Sequence, residues 1–403
     1  MQSQPQYFDL IILGAGITGL SVARQQLLTD SGCKVLILEK EKEIGMHASG
    51  RNSGVLHSGI YYPSQTLKAK FCSQGGKLMG EYCQEYSLPI KRCGKVIVPK
   101  TVDEDHYLDL LHKRAKLNGA DTRIISKAEL NEIEPESYSA TSRALYSPNT
   151  SVVDPHSVMK KVISDLINNN VAIAFEEYVI SADPQSSTIA TNKNVTYRYG
   201  QLINCTGQYS DLVSQIFNVG EHYYLIPFKG IYYKLKAESE IKLNGLVYPV
   251  PDLRIPFLGI HSVKLVNGDT YFGPNSIPAL GREHYDGIKG INLKDAIVTS
   301  YFLLKQYVDN KDGFRSFAHR ELHQFSRNSF YKEAKKMIPK LKLKDLIESN
   351  KVGIRAQLYN KEKRDFEMDF IVEKRDNTIH VLNAVSPAFT SAFSFAKYIL
   401  SGQ

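Results

Sequence analysis

The start of the chain alternates between apolar blocks and polar breaks in a pattern that predicts a strand, a helix and a second strand. Apolar runs at 10–13 and 35–38 have the length of buried strands and end at Gly14 and Glu39. Between them, apolar side chains recur at the spacing of one helical face, at Leu20, Ala23, Leu27 and Leu28. The pattern therefore predicts a βαβ unit.

Later in the chain, helical spacing and strand-like runs alternate. Residues 223–274 are rich in aromatic and β-branched residues, which predicts an antiparallel sheet. Helices are predicted after the cap Asp154 and Pro155, over 292–308, over 328–349 with a break at Pro339, and after Pro387.

Nucleotide-type segments at the start, middle and end of the chain predict two interleaved domains. The expected fold class is α/β: a Rossmann-like nucleotide-binding domain, interleaved with an α+β substrate domain built on an antiparallel sheet. The first domain is expected at 1–90, 145–220 and 350–403, and the second at 91–144 and 221–349.

The turn after the first strand has the pattern G-x-G-x-x-G. Gly14 permits the tight turn, Gly16 lets a pyrophosphate approach the backbone, and Gly19 packs the helix on the sheet. The helix N-terminus offers N–H groups to phosphates. Glu39 is placed to bind ribose hydroxyls, and its charge would repel the extra phosphate of NADP. NAD or FAD is therefore expected.

Two segments beyond this unit favour FAD over NAD. After the second strand the chain enters the loop ASGRNSGVLHSGIYYP at 48–63 instead of a third strand. A second dinucleotide-type segment, LINCTGQYSD, arrives at 202–211. Two-domain FAD oxidoreductases are built in this way.

Composition narrows the partners. The formal charge is +8, but no basic stripe carries stacking aromatics, so no nucleic-acid partner is expected. Segment 320–351 has nine basic and four acidic residues, which predicts a solvated helical face or, alternatively, a peripheral contact with the inner face of the cell membrane. Five cysteines without a C-x-x-C pair indicate a reducing compartment and no metal site. The first apolar residues are interpreted as a strand instead of a leader, which predicts a cytoplasmic protein.

The longer motifs carry a resemblance to a known family. In order, the chain contains GRNSGVLHSGIYY, RCGKVIV, NCTGQYSD, PFKGIYY, YPVPD, PFLGIH, GPN, GIRAQ and SPAFTSA. This series resembles the L-2-hydroxyglutarate dehydrogenases and oxidases, FAD enzymes of the D-amino-acid-oxidase fold group, from about residue 8 to about residue 396. The resemblance implies FAD and oxidation of L-2-hydroxyglutarate, a dicarboxylate, to 2-oxoglutarate by hydride transfer to the flavin. The FAD is expected to be non-covalent. Electrons would pass to oxygen or a quinone.

Other functions stay open beside this one. An oxidase of another small 2-hydroxy acid, of an amine or of glycerol phosphate belongs to the same class. A flavin-binding protein without turnover belongs to a different class.

The resemblance implies a flavin clamp in the loop at 48–63, where small residues let backbone donors reach the cofactor. The clamp residues are Ser49, Gly50, Arg51, Asn52, Ser53 and Gly54. Further cofactor contacts are expected at Thr18, Lys40, Val179, Thr206 and Gly207. The C-terminal helix is expected to direct its N-terminus, with Ser386 and Thr390, toward the flavin pyrimidine ring.

The implied chemistry also needs a base and cations. His57 is the first choice as the base that takes the hydroxyl proton, and His261 is the rival. Arg355 is expected to bind a carboxylate through its planar fork. Lys229 and one of the adjacent tyrosines, Tyr233 in preference to Tyr232, are weaker candidates for the second carboxylate.

Overall fold

The computed structural model describes residues 5–401 and divides into two compact units. Unit 1 contains Met1–Asn52, Pro155–Ile226 and Ala356–Gln403, and unit 2 contains Ser53–Asp154 and Pro227–Arg355. Residues 53–90 and 145–154, which the sequence assigns to the nucleotide domain, therefore belong to unit 2. They do so because their strands pair with one another in a sheet of that unit.

The helices within residues 5–401 are mostly amphipathic segments of moderate length. They are α1 (Ile17–Thr29), α2 (Leu67–Glu85), α3 (Asp105–Leu117), α4 (Lys127–Ile133), α5 (Pro155–Asn168), α6 (Ser210–Ile216), α7 (Leu293–Asp309), α8 (Phe314–His323), α9 (Arg327–Lys335) and α10 (Ala388–Ser401). In the same part of the chain, no helix is long and apolar enough to cross a lipid bilayer.

Most of the strands are short. They are β1 (Gln6–Leu13), β2 (Val35–Glu39), β3 (Val55–Leu56), β4 (Ile90–Arg92), β5 (Lys95–Val98), β6 (Arg123–Ser126), β7 (Arg143–Ser147), β8 (Ser151–Val153), β9 (Ala172–Phe175), β10 (Val179–Asp183), β11 (Thr188–Thr191), β12 (Thr196–Asn204), β13 (Tyr223–Leu235), β14 (Leu246–Pro249), β15 (His261–Lys264), β16 (Thr270–Gly273), β17 (Ile277–Pro278), β18 (Leu346–Asn360), β19 (Asp365–Phe366), β20 (Val372–Arg375) and β21 (Thr378–Val381).

Unit 1 is organised around a sheet whose central strands are parallel. Their order is β9, β2, β1, β12 and β21, and each neighbouring pair runs parallel. β10, β11 and β20 extend the sheet in antiparallel fashion, and α1 packs against α5 and α10. The carboxyl ends of β1, β2 and β12 therefore lie at one edge, where open α/β sheets bind their ligands.

Unit 2 contains three further sheets. One has the order β14, β5, β7 and β6, and a small antiparallel one has the order β3, β8 and β4. The third has the order β15, β16, β13 and β18 in this unit, with β17 paired to β13. Two apolar cores fill the unit, and both contain residues of the β14–β5–β7–β6 sheet.

The helix predicted over 328–349 is shorter than expected, because α9 ends at Lys335 and the strand β18 begins at Leu346. This changes the prediction of a membrane contact through segment 320–351. Four apolar side chains of the segment, Phe330, Ala334, Met337 and Leu346, are fully buried in a core of unit 2, whereas Leu343 and Ile347 are exposed. The four buried side chains are not available to a lipid surface, and the peripheral contact itself stays a prediction.

Candidate active site

The glycine turn after β1 is sterically closed to other residues. Gly14 has φ +98°, and a Cβ there would lie 2.7 Å from the carbonyl oxygen of Cys205. A Cβ on Gly19 would lie 2.0 Å from the carbonyl oxygen of Gly14. Position 14 needs glycine because its φ is positive and its backbone lies close to Cys205. Position 19 needs glycine because α1 lies directly on the turn.

The N-terminus of α1 is held by two loop contacts in unit 1. The Glu39 carboxylate accepts hydrogen bonds from the backbone N–H of Ala15 at 2.7 Å and of Glu41 at 2.9 Å. Ser49 Oγ accepts one from Ile17 N–H at 3.0 Å, so the first residue of the predicted clamp caps this helix. The end of β2, the start of α1 and the clamp therefore meet beside Gly16, whose added Cβ would lie 3.0 Å from Ser49 Oγ.

The rest of the predicted clamp folds back on its own backbone. Asn52 Nδ2 donates to the Ser49 carbonyl at 2.6 Å, and Arg51 Nε donates to the Met46 carbonyl at 2.7 Å. A Cβ on Gly50 would lie 2.1 Å from the carbonyl oxygen of Gly45. Ser53 and Gly54 begin unit 2, where the Gly54 carbonyl accepts from Val153 N–H.

The other predicted cofactor residues lie at several places in unit 1. Thr206 follows β12 and donates its hydroxyl to Asn204 Oδ1 at 2.6 Å, and Gly207 next to it has φ +56°. Thr18 is buried in α1, Val179 is buried at the start of β10, and Thr390 is buried in α10. Lys40 bonds Glu41, and Ser386 is exposed just before α10.

A second group of predicted residues comes together in unit 2, around the loop that carries His57. The loop follows β3, and its backbone is tied from two helices. Cys72 of α2 donates Sγ–H to the His57 carbonyl at 3.3 Å, and Asn118, directly after α3, donates to the carbonyls of Gly59 and Tyr62 at 2.7 and 2.9 Å. Because one anchor lies in a helix and the other at the end of one, the loop has a fixed course.

Two cations flank this histidine. Lys95 and Arg355 both lie close enough to lower the pKa of His57 through their positive charges. Lys95 is 1% exposed, whereas Arg355 and His57 are half-buried. Arg355 Cζ lies 5.3 Å from the ring centre of Phe257, a cation–π contact. In the described part of the chain, neither Lys95 Nζ nor Arg355 Nε has a hydrogen-bond partner.

His57 and His261 are both neutral at working pH. Burial lowers the pKa of His57 to about 3, with help from Lys95, His261 and Arg355. Burial lowers the pKa of His261 to about 4 against an opposing hydrogen bond to Gly259. His261 Nδ1 donates to the Gly259 carbonyl at 2.8 Å, which leaves the lone pair on Nε2. Its ring also stacks on Tyr248 with 3.9 Å between ring centres, so His261 is the more confined of the two.

The two side chains predicted for the second carboxylate have other neighbours in the described part of the chain. Lys229 Nζ lies 3.5 Å from His284 Nε2, and Asp286 raises its pKa against the effect of burial. Tyr233 packs edge-on against Phe330, with 4.7 Å between ring centres, in the other core of the unit. Alternation along β13 turns Tyr232 the opposite way, toward Tyr248, whose pKa it raises. Tyr232 is therefore the one of the two that lies on the side of Tyr248, and the choice of Tyr233 as a carboxylate-binding residue stays a prediction.

Residues 9–401 match the family described as FAD dependent oxidoreductase, or DAO. The chain belongs to this family. The L-2-hydroxyglutarate dehydrogenase of Indibacter alkaliphilus is 36% identical to this oxidoreductase over 392 residues, with 96% of each chain covered. The mitochondrial L-2-hydroxyglutarate dehydrogenase of Homo sapiens is 32% identical over 415 residues, covering 97% of this chain and 88% of that protein.

Solved structures show the same fold for this oxidoreductase. An FAD-bound L-alpha-glycerophosphate oxidase from Mycoplasma pneumoniae has a TM-score of 0.76 at 20% identity, covering 98% of this chain and 94% of that one. L-proline dehydrogenase from P. horikoshii has a TM-score of 0.72 at 16% identity, covering 99% and 95%. The predicted fold class and the FAD cofactor are confirmed.

The residues of unit 1 fit the adenine dinucleotide of an FAD oxidoreductase. The glycine turn, the N-terminus of α1 and the Glu39 carboxylate lie together at the carboxyl edge of the parallel strands. Glycines at Gly14 and Gly19 keep side chains out of the turn, so a pyrophosphate can approach the backbone.

Lys95 has no predicted role, although it lies in the motif RCGKVIV. The sequence places this lysine directly before the apolar run VIV, a pattern typical of a buried strand. Buried strands rarely contain a charged side chain. Tyr61 and Tyr248, whose rings border Lys95, are not predicted as site residues either. They come from distant parts of the sequence and meet only in the folded unit.

Buried histidines should make the oxidoreductase lose stability in mild acid. The pKa values of His57, His261 and His380 fall from 6.5 to about 3, 4 and 4 in the folded chain, chiefly through burial. The unfolded chain then binds more protons below the ordinary histidine pKa, so unfolding becomes easier as pH falls toward 4. Burial raises the pKa of Glu321 to about 7, so this carboxyl group binds a proton more readily in the folded chain and offsets the effect of one of the three histidines. Glu134, whose pKa burial also raises, acts in the same direction as Glu321.

The measurement is the urea midpoint of the FAD-bound protein from about pH 7.5 to about pH 4.5. We expect it to decline progressively below about pH 6.5. A midpoint that stays constant over this range would show that the histidines titrate alike in the folded and unfolded chains.

Proposed function

We propose that this oxidoreductase oxidises L-2-hydroxyglutarate to 2-oxoglutarate. The observation that carries the proposal is the pairing of a neutral histidine, His57, with a nearby guanidinium, Arg355, in one group of unit 2. A 2-hydroxy acid needs both, because its hydroxyl must lose a proton while its adjacent carboxylate is held. Curated relatives that match over nearly the whole chain bear the name L-2-hydroxyglutarate dehydrogenase.

In this proposal Arg355 binds the carboxylate next to the hydroxyl. A guanidinium presents two parallel N–H donors, which match the two oxygens of a carboxylate. Phe257 lies beneath the guanidinium and restricts its orientation. Burial lowers the pKa of Arg355 to about 10, still high enough for the side chain to be charged at neutral pH.

His57 is the proposed base, and its imidazole accepts the hydroxyl proton. The short strand β3 separates it from the predicted clamp in the chain, and its loop is fixed by Cys72 and Asn118. Burial is the main cause of its low pKa, and the cations Lys95 and Arg355 lower that pKa further. An anionic substrate bound to the two cations would offset their charge and so raise the pKa of the base in part.

The clamp and the glycine turn are proposed to hold FAD without a covalent bond. Ser49, Gly50, Arg51, Asn52, Ser53 and Gly54 would follow the cofactor, as would Gly14, Gly16, Thr18, Gly19, Glu39, Lys40, Val179, Thr206 and Gly207. The N-terminus of α10, with Ser386 and Thr390 near it, would place N–H groups at the pyrimidine ring. When bound, FAD supplies the acceptor for the two electrons of the carbon–hydrogen bond.

Oxygen or a quinone accepts the electrons in the second half of the reaction. Reoxidation rates measured separately with dissolved oxygen and with a water-soluble quinone identify which of the two serves.

The test is anaerobic bleaching of the flavin absorbance by a panel of acids. We expect L-2-hydroxyglutarate to bleach the flavin, and D-2-hydroxyglutarate, L-proline and glycerol 3-phosphate to leave it yellow over the same time. Bleaching by the amine or the phosphate ester in place of the hydroxy acid would assign another oxidase activity. A flavin that no member of the panel bleaches would identify a binding protein without turnover.

A further inference from the structure

Lys95 is a buried ammonium group with an unusual environment. It begins β5, is 1% exposed, and has no hydrogen-bond acceptor for Nζ among residues 5–401. Instead, Nζ lies 4.9 Å from the ring centre of Tyr61 and 5.2 Å from that of Tyr248. Buried charges in proteins are normally paired with an opposite charge, because an unpaired one loses its hydration without compensation.

No anion in the described part of the folded unit compensates Lys95 at neutral pH. The groups that raise its pKa are the thiols of Cys72 and Cys93. Burial raises the pKa of those thiols to about 12 and about 11, so both are uncharged. Burial therefore dominates and lowers the pKa of Lys95 to about 8. Two aromatic faces stabilise the ammonium only in part.

Lys95 also lies within the group that contains the proposed base. Its charge lowers the pKa of both His57 and His261, and Arg355 lowers that of His57 as well. The protein thus places two cations near one neutral imidazole. The two positive charges of this group match the two negative charges of a dicarboxylate.

We propose that Lys95 Nζ binds the second carboxylate of the substrate, the one remote from the hydroxyl, and thereby selects dicarboxylic 2-hydroxy acids. This inference rests on the proposed function, because it assigns Lys95 to the carboxylate of the proposed substrate that takes no part in the oxidation. Tyr61 and Tyr248 position the ammonium between their rings. Their phenol oxygens are buried without a hydrogen-bond partner in the described chain and offer further donors to the same carboxylate.

Lys95 suits this role better than Lys229. Lys229 Nζ is beside His284 at 3.5 Å, and the nearby Asp286 already provides a negative charge. Within residues 5–401, Lys95 Nζ has no hydrogen-bond partner, and no carboxylate is among the groups that raise its pKa.

The experiment compares two substrates of equal chain length in Lys95→Met. L-2-hydroxyglutarate has the second carboxylate, and L-2-hydroxyvalerate has a methyl group in its place. We expect kcat/KM for the dicarboxylate to fall by at least ~100-fold and that for the monocarboxylate to change by less than about threefold. The fall should appear mainly in KM. Lys95→Arg, which keeps the charge, should recover part of the preference.

The matched control is Lys234→Met, in the same unit, because Lys234 already pairs with Asp269 at 2.7 Å. It should retain the wild-type preference. Equal losses on both substrates in Lys95→Met, or an unchanged preference for the dicarboxylate, would overturn the inference while leaving the proposed function intact. Wild-type protein that does not turn over L-2-hydroxyglutarate would instead overturn the proposed function, and the inference with it.

A measurement on the wild-type protein covers the case in which Lys95→Met does not fold. The ratio of kcat/KM values for the two substrates should decline as pH rises from about 7 to about 9.5 and Lys95 loses its proton. The facing groups do not titrate in this window: His57 and His261 are already neutral, and burial keeps Tyr61, Tyr248, Cys72 and Cys93 protonated. Arg355 affects both substrates and cancels in the ratio. A ratio independent of pH would contradict the proposed role of Lys95.

Discussion

Replacing His57 by alanine should slow anaerobic bleaching of the flavin by L-2-hydroxyglutarate by ~10²–10⁴-fold, the usual contribution of a general base. The hydroxyl proton would then have no nearby acceptor while the carbon–hydrogen bond breaks. FAD content and substrate affinity should stay near those of the wild type, because Arg355 and Lys95, and not the imidazole, are the groups proposed to bind the carboxylates. Stopped-flow absorbance under anaerobic conditions measures the rate directly.

Two further variants give this result its meaning. His112 is also half-buried in unit 2 and bonds Thr122 at 2.9 Å, so His112→Ala controls for the loss of a packed histidine. It should react at nearly the wild-type rate. His261→Ala tests the rival base. If it loses more rate than His57→Ala, or if His57→Ala reacts as fast as the wild type, the base assignment is wrong.

The elements around the cofactor could be predicted because their signals are local. A glycine turn between an apolar run and an amphipathic helix has one common structural solution, and α1 does begin within that turn, at Ile17. Gly14 and Gly19 are each constrained by atoms of the same turn or of the adjoining strand end. The resemblance of the longer motifs supplied the family, which the comparisons confirm.

The segment after Pro339 shows where local pattern fails. Its apolar spacing predicts a helix, yet β18 begins at Leu346 and pairs within the sheet that contains β13. Strand pairing with distant residues decided the conformation there, and a window of neighbouring residues does not contain that information. The same argument applies to Tyr232 and Tyr233: alternation required them to point opposite ways, but only the packing of β13 decides which one faces Tyr248.

The candidate site was predicted in part for the same reason. His57, His261 and Arg355 are predicted from motifs, and the fold brings them into one electrostatic group. Lys95 is not predicted, because the role proposed for it depends on burial between two rings from other segments. A lysine in a strand usually lies at the surface. Burial without an acidic partner is visible only after folding.

Substitution of Arg355 should have an effect that differs in kind from that of Lys95. Arg355 is proposed to hold the carboxylate that every 2-hydroxy acid has, so Arg355→Met should weaken L-2-hydroxyglutarate and L-2-hydroxyvalerate alike. Loss of one partner of a desolvated ion pair typically reduces affinity by ~10²–10³-fold or more. The affinity of Arg355→Lys for both substrates should lie between those of the wild type and Arg355→Met. Lysine keeps the positive charge, but it replaces the two-donor fork on the carboxylate with a point charge. Initial-rate kinetics with both substrates and titration with the dicarboxylate inhibitor glutarate measure the change.

Arg123→Lys is the matched control, since Arg123 is an exposed arginine that already pairs with Glu129 at 2.8 Å. It should behave as the wild type in all these assays. Arg355→Met should also raise the pKa of His57, because one of the charges that depress it is gone. As pH falls and the base becomes protonated, the bleaching rate of this variant should therefore begin to decline at a higher pH than that of the wild type. Unchanged affinity for both substrates and for glutarate would remove Arg355 from the site, whereas a loss confined to the dicarboxylate would exchange the roles of Arg355 and Lys95.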